Sequence, residues 1–99
     1  MKRVVFSPQA KRDLQGIADY IAIDNPDRAV TFIEEIEERC QRLGKFPRSA
    51  RPFPDLGDNA HILPFGNYVI LYRDLADEAA IARVVHGARD ILGLISDPE

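Results

Sequence analysis

Two proline-marked helix starts, Ser7-Pro8 and Asn25-Pro26, constrain this chain more than any other feature. In each, a hydrogen-bond-accepting side chain precedes a proline. Proline suits the first helical position because its missing N–H would have no partner there. After the first start, Ala10, Leu14, Ile17 and Ile21 recur at helical spacing and form one apolar face. After the second, Ala29, Phe32, Ile33, Ile36, Cys40 and Leu43 form another stripe, and Gly44 follows at the C′ position. Asp24-Asn25-Pro26 both ends the first helix and opens the second, so the two must fold back as an antiparallel hairpin. Gly16 interrupts the first helix at a cost of about 1 kcal/mol relative to alanine, which suggests close approach of a neighbouring helix. Glu35–Arg39 and Glu38–Arg42 have the spacing of stabilising i,i+4 ion pairs.

The rest of the chain reads as strands. Residues 2–6 (Lys-Arg-Val-Val-Phe) form a short one. Three more are expected at about 60–65, 67–73 and 79–86, with turn signals at Gly66-Asn67 and Asp77-Glu78. Between the helices and these strands, Pro47, Pro52, Pro54 and Gly57 mark a long loop over 45–59, anchored by Phe46, Phe53 and Leu56. The pattern predicts an α+β domain spanning 1–99. It has an N-terminal strand, an antiparallel two-helix hairpin and a three-stranded antiparallel meander, with the helices on one sheet face and the other face open to a partner. The first strand returns to pair with a later one. Residues 89–95 extend the chain as a short helix or strand, and the apolar group Ile91, Leu92, Leu94 and Ile95 either closes the core or docks a partner.

Ninety-nine residues with 45% hydrophobic and 29% charged content fit one globular domain. No apolar run approaches the ~20 residues of a membrane helix. The basic N-terminus reaches Pro8 without the apolar core of a secretory signal. With the single Cys40, this predicts a reducing cytoplasm and no disulfide. A net charge of −3 argues against broad or sequence-specific nucleic-acid binding.

The candidate functional groups cluster near the ends of the last strands. Leu63 to Arg73 and Ile81 to Asp90 are two β-prone runs that each end in cationic groups, and pairing them would gather those groups near one part of the sheet. His86 is a candidate general acid or base, because imidazole titrates near neutrality; against that stands a strand-end histidine bonded to backbone. Arg73 and Arg83 could hold a phosphate or carboxylate, or pair with Asp74, Asp77, Glu78 or Asp90. Arg48 and Arg51 could add a loop edge to the patch or lie solvated. His61 has no metal-ligand partner, so neither metal nor other cofactor is expected. Tyr68 and Tyr72 share a strand face and read as core; Glu34, Glu35, Glu37 and Glu38 read as a solvated helix face.

The order and spacing of several short motifs resemble the RelE/ParE toxin superfamily, and its ParE branch more closely. They are Phe6-Ser7-Pro8-Gln9-Ala10 with Asp13-Leu14, Ile17-Ala18-Asp19-Tyr20-Ile21, Phe46-Pro47, Gly66-Asn67-Tyr68-Val69-Ile70-Leu71-Tyr72-Arg73, and Arg83-Val84-Val85-His86-Gly87-Ala88-Arg89-Asp90. This resemblance implies the toxin of a type II toxin–antitoxin pair, forming a hetero-oligomer with a cognate ParD-like antitoxin. ParE-like members are associated with non-enzymatic poisoning of DNA gyrase. RelE-like members instead cleave ribosome-bound messenger RNA, and here such a reaction would use His86 with Arg73 and Arg83. The acidic balance departs from that nuclease pattern, as does a tail after Gly87 without tyrosine, lysine or histidine. The expected contacts with target or antitoxin are therefore Arg51, Arg73, Arg83, His86 and Arg89. A toxin fold without toxicity is the third possibility.

Overall fold

Ser7 fixes the first corner of the molecule. In the computed structural model, which describes residues 2–87, the Ser7 hydroxyl accepts from the Ala10 N–H at 2.9 Å and caps helix α1 (Pro8–Asp24). The same hydroxyl donates to the Ala82 carbonyl at 2.8 Å. The cap thus ties the helix start to the strand beside it. Asn25 plays both parts expected of it. It is the C-cap of α1, and its side chain accepts from the Arg28 N–H at 3.0 Å to cap α2 (Pro26–Arg42). With a one-residue connection, the two helices pack on each other.

The strands are β1 (Arg3–Phe6), β2 (Arg51–Pro52), β3 (Ala60–Phe65), β4 (Tyr68–Asp74) and β5 (Glu78–His86). They form one sheet in the order β1-β5-β4-β3-β2. The meander β3–β4–β5 is antiparallel as expected, and the returning β1 pairs with β5 in parallel, so the sheet is mixed. The two-residue β2 and a 3₁₀ turn over Pro54–Leu56 lie inside the segment read as loop. Proline at a sheet edge removes no ladder bond, which lets Pro52 sit in β2. Residues 89–95, expected to form a last element, fall outside the described residues.

One irregularity sets which side chains face the helices. Leu71 pairs with Arg83 and Tyr72 with Ile81, leaving Ala82 as an extra residue in β5. Without such a bulge, Ile81 and Val84, three positions apart, would point to opposite faces. With it both enter the core, at 0% and 2% exposure. They join Ala10, Leu14, Ile17, Ile36, Cys40, Leu63, Ile70 and Tyr72 in the layer between helices and sheet. Burying each Ile here stabilises by about 1.5–3 kcal/mol. Tyr68 and Tyr72 do share this face, and the buried His61 stacks on Tyr72 with ring centroids 5.2 Å apart.

The opposite sheet face is smaller and not fully open. Val69, Leu71 and Val85 form its centre, and Phe53, Leu56 and Ile62 pack over them. The long loop therefore folds back as a partial cover.

Three local readings are corrected. Glu35 pairs with Arg28, at 2.9 and 3.2 Å, and not with Arg39; Arg28 also lies 5.1 Å from the Phe32 ring centre. No ion pair joins Glu38 to Arg42 among the described residues. Among the described residues no helix closes on Gly16, since a Cβ there would meet nothing within 4 Å. Gly44 does occupy C′, after the C-cap Leu43. Its glycine is required by closeness: a Cβ would stand 2.5 Å from the Lys2 carbonyl oxygen, where β1 begins.

Candidate functional site

Antiparallel pairing decides where the cationic groups lie. The end of β4 lies beside the start of β5, with Arg73 opposite Ala80, whereas His86 sits opposite Tyr68 at the other end of the same pair. The expected gathering of strand ends at one place is thereby corrected, because adjacent antiparallel strands end at opposite sides of a sheet. Arg83, two pairs along from Arg73, is the residue in between.

Arg83 lines two cavities near this part of the sheet. The first, about 170 Å³, lies on the face away from the helices; Leu56 and Leu71 line it together with Arg73 and Arg83. The second, about 300 Å³, runs between α1 and the end of β5, where Tyr20, Tyr68 and His86 join Arg12 and Arg83. Arg73 and Arg83 are thus brought together, and so are Arg83 and His86, but Arg73 and His86 are not. Arg51 stands apart on the exposed edge strand β2, opposite Ile62. Arg89 lies outside the described residues.

Both strand arginines are engaged by the protein itself. Arg83 donates through Nε and Nη2 to Asp13 of α1 at 2.8 and 3.1 Å. β1 ends opposite Ile81, so among the described residues β5 beyond that point has no strand on this side. There the Asp13 carboxylate accepts the Val84 N–H at 2.9 Å, supplying what a neighbouring strand would. Burial works against the charge on Asp13. The hydrogen bonds from Arg83, Val84 and Gln9 outweigh it and hold the carboxyl below its ordinary value. Asp13 is not among the four acidic partners expected for Arg83, of which Asp90 lies outside the described residues. Nothing in sequence spacing marks a helix residue 70 positions away.

Arg73 is turned onto the loop. Its guanidinium donates to the carbonyls of Leu56 at 3.0 Å and Asp58 at 3.1 Å. Gly57 lies between them with φ +114°, and a Cβ there would come within 2.8 Å of Arg73 Nη1. Gly57 therefore serves both the backbone conformation and the space. Arg48, the other loop arginine, approaches Asp74 at 3.5 Å, and Lys2 pairs with the same carboxylate. These two cations hold Asp74 below its usual range, Lys2 contributing most.

His86 is exposed at the end of β5 and meets the edge of the Tyr68 ring, centroids 5.5 Å apart. Burial, then the neighbouring Tyr20 phenol, pushes the Tyr68 hydroxyl up from its ordinary pKa. Tyr20, which sequence reasoning passed over as part of the first helix, is 72% exposed beside this groove. Among the described residues no group of three or more His, Cys, Asp or Glu side chains could hold a metal ion. The arrangement presents arginine-rimmed apolar surface on one side and an aromatic, cation-bearing groove on the other.

A helical hairpin on one face of a five-stranded mixed sheet is also the architecture of a chain from the chromosomal ParDE TA system of P. aeruginosa. That chain superposes with a TM-score of 0.75 at 21% identity, over 88% of this chain and 97% of that one. At this identity the likeness concerns fold. In sequence, the family described as "ParE toxin of type II toxin-antitoxin system, parDE" matches residues 4–91, and the chain belongs to that family. "Putative toxin Y4kP" of Sinorhizobium fredii (strain NBRC 101917 / NGR234) is 31% identical over 85 residues, covering 86% of this chain and 88% of that protein.

Proposed function

We propose that this ParE-type toxin acts by binding DNA gyrase as a protein inhibitor and is held inactive by a cognate ParD-like antitoxin, both in the cytoplasm. The observation that carries the non-enzymatic reading is the engagement of Arg83 by Asp13 at two points. Cleaving RNA at a 2′-hydroxyl takes a base, a cation for the developing charge and help for the leaving oxygen, all converging on one phosphate. Here His86 and Arg73 line different cavities, and the arginine between them is already neutralised by a carboxylate. That geometry favours a surface that recognises a partner over one that performs proton transfer. No helix among the described residues is long and apolar enough to cross a membrane, which is consistent with a site of action inside the cell.

The antitoxin reading is supported by family membership and by the fold shared with the ParDE chain. The product of the neighbouring reading frame is expected to co-purify with this chain and to restore growth when both are induced. The target is tested by DNA supercoiling with purified gyrase and antitoxin-free toxin. Inhibition in proportion to toxin concentration is expected, and gyrase unaffected at large toxin excess overturns the assignment. Cleavage of ribosome-bound messenger, abolished by His86→Ala, would instead establish the nuclease.

A further inference from the structure

The bulge in β5 shapes a pocket as well as the core. Ala82 and Arg83 are neighbours in one strand and would ordinarily face opposite sides of the sheet. Both line the cavity of about 170 Å³ on the face away from the helices, together with Leu56, Ala60 and Leu71. Bulges are frequent where a strand has to re-aim a side chain. Apolar cavities of about this size take up a benzene ring. With only a methyl group at Ala82, one aliphatic or aromatic side chain from outside fits here.

Charge selects what accompanies that side chain. The half-buried Arg73 lines the same cavity. Its bonds to the Leu56 and Asp58 carbonyls use two donors without cancelling the charge of the guanidinium. No carboxylate pairs with it among the described residues. Beside apolar walls, such a cation attracts an arriving carboxylate more strongly than it would in open water. The register adds a second cation. Arg51 lies opposite Ile62, Ile62 opposite Leu71, and Leu71 opposite Arg83, and residues directly opposite share a face. Arg51 thus stands about 10 Å from Leu71, two strand spacings away. It is exposed, and it too forms no ion pair among the described residues.

The contact suits a reversible partner. The large apolar side chains left exposed, Tyr20, Ile23, Val30 and Phe46 among them, lie outside this cavity. Obligate interfaces are broad and apolar, whereas small contacts with polar surroundings belong to encounters that form and release.

We propose that this pocket is where the chain recognises gyrase. One aliphatic or aromatic side chain of the target enters beside Ala82, an adjacent aspartate or glutamate meets Arg73, and Arg51 faces further acidic groups. The proposal rests on the gyrase reading above and names the surface used and the chemistry it selects.

Supercoiling by purified gyrase, titrated with antitoxin-free toxin, tests it. Ala82→Leu, which fills the pocket, is expected to raise the half-inhibitory concentration at least tenfold. Arg51→Glu should raise it several-fold and reduce its dependence on salt. Arg73→Gln should raise it at least tenfold, and Arg73→Lys by less, since lysine restores the charge. Lys11→Glu, the same charge reversal on α1, should inhibit as wild type. Circular dichroism establishes that each variant is folded, and binding to the product of the neighbouring gene should be unchanged. Should Ala82→Leu fail to fold, Arg51→Glu, at an exposed strand edge, carries the test. Folded Ala82→Leu and Arg51→Glu proteins that inhibit within twofold of wild type overturn the pocket and leave the gyrase reading standing. Wild-type toxin without effect at large excess overturns both. Variants that lose the neighbouring gene's product but inhibit normally would assign the pocket to the antitoxin. Self-association abolished by Ala82→Leu would assign it to a second copy. Either result overturns the proposal.

Discussion

Asp13 and Arg83, 70 positions apart, share two hydrogen bonds while Asp13 also accepts the Val84 N–H, so one carboxylate joins α1 to the part of β5 that extends beyond β1. Removing it takes three hydrogen bonds from β5, two at the Arg83 guanidinium and one at the Val84 N–H. Asp13→Ala is expected to destabilise by about 1–3 kcal/mol, the range for losing the acceptor of a part-buried donor. A fall in the urea midpoint with unchanged slope is the measurement.

The same carboxylate predicts a pH dependence. Its folded pKa lies below the ordinary 3.8, so the native state binds its proton more weakly than the unfolded chain. Its contribution is therefore complete at pH values above the unfolded pKa and is lost as pH falls through the depressed native value. Wild type and Asp13→Asn should differ in stability at pH 6 and converge as pH falls through the depressed native value. Comparing the two isolates Asp13 from Asp74, whose carboxyl is also lowered by its partners.

Gly57 and Arg73 should prove coupled. Gly57→Ala introduces a side chain at φ +114° and 2.8 Å from Arg73 Nη1, and is expected to cost about 1–3 kcal/mol. In an Arg73→Ala background the steric part disappears and the backbone part remains. The double-mutant cycle should thus show a coupling of about 0.5–2 kcal/mol in thermal or urea unfolding. Purely additive effects would mean that Arg73 does not press on the loop.

Tyr72, 1% exposed, donates its hydroxyl to the Pro47 carbonyl at 2.7 Å across 25 positions. Tyr72→Phe keeps the packing and removes that anchor. A loss of about 1 kcal/mol is expected. Faster amide exchange should be concentrated in residues 46–59, whose attachment to the sheet depends on Tyr72 and Arg73.

Cys40 is fully buried, and burial pushes its thiol up to about 12. Since the thiolate is the nucleophile, alkylation at pH 8 should be negligible in the native protein and rapid in denaturant. Modification at equal rates in both would contradict the packing.

The elements legible in the sequence were those that local chemistry determines. Ser7-Pro8 and Asn25-Pro26 fixed both helix starts, since a cap and a proline act on their own neighbours. The β-rich runs placed β3, β4 and β5, and the Gly66-Asn67 turn lies between Phe65 and Tyr68, which pair across it. What escaped were choices made between distant parts. β2 has two residues, too short for any pattern. The Ala82 bulge is visible only once Ile81 and Val84 are known to face the same core. Glu35 could reach Arg39 or Arg28, and the latter won with the aromatic surface of Phe32 beneath it. Among the site candidates, residue types were readable but directions were not. Arg73 turned to loop carbonyls, Arg83 to a helix, and the antiparallel register carried His86 away from Arg73.

The parallel pairing of β1 with β5 bears on when the sheet can be completed. Residues 3–6 are made first, yet their strand partner begins at Glu78. Contacts between such distant segments form late and slowly. A chain still being translated therefore holds its first strand without a neighbour until most of the message has been read. Premature termination anywhere before Glu78 yields fragments lacking the strand that lies between β1 and β4. The strand that joins the two halves of the sheet is thus the last of the described strands to be made, and the sheet closes in a single late step rather than growing outward from its first strand.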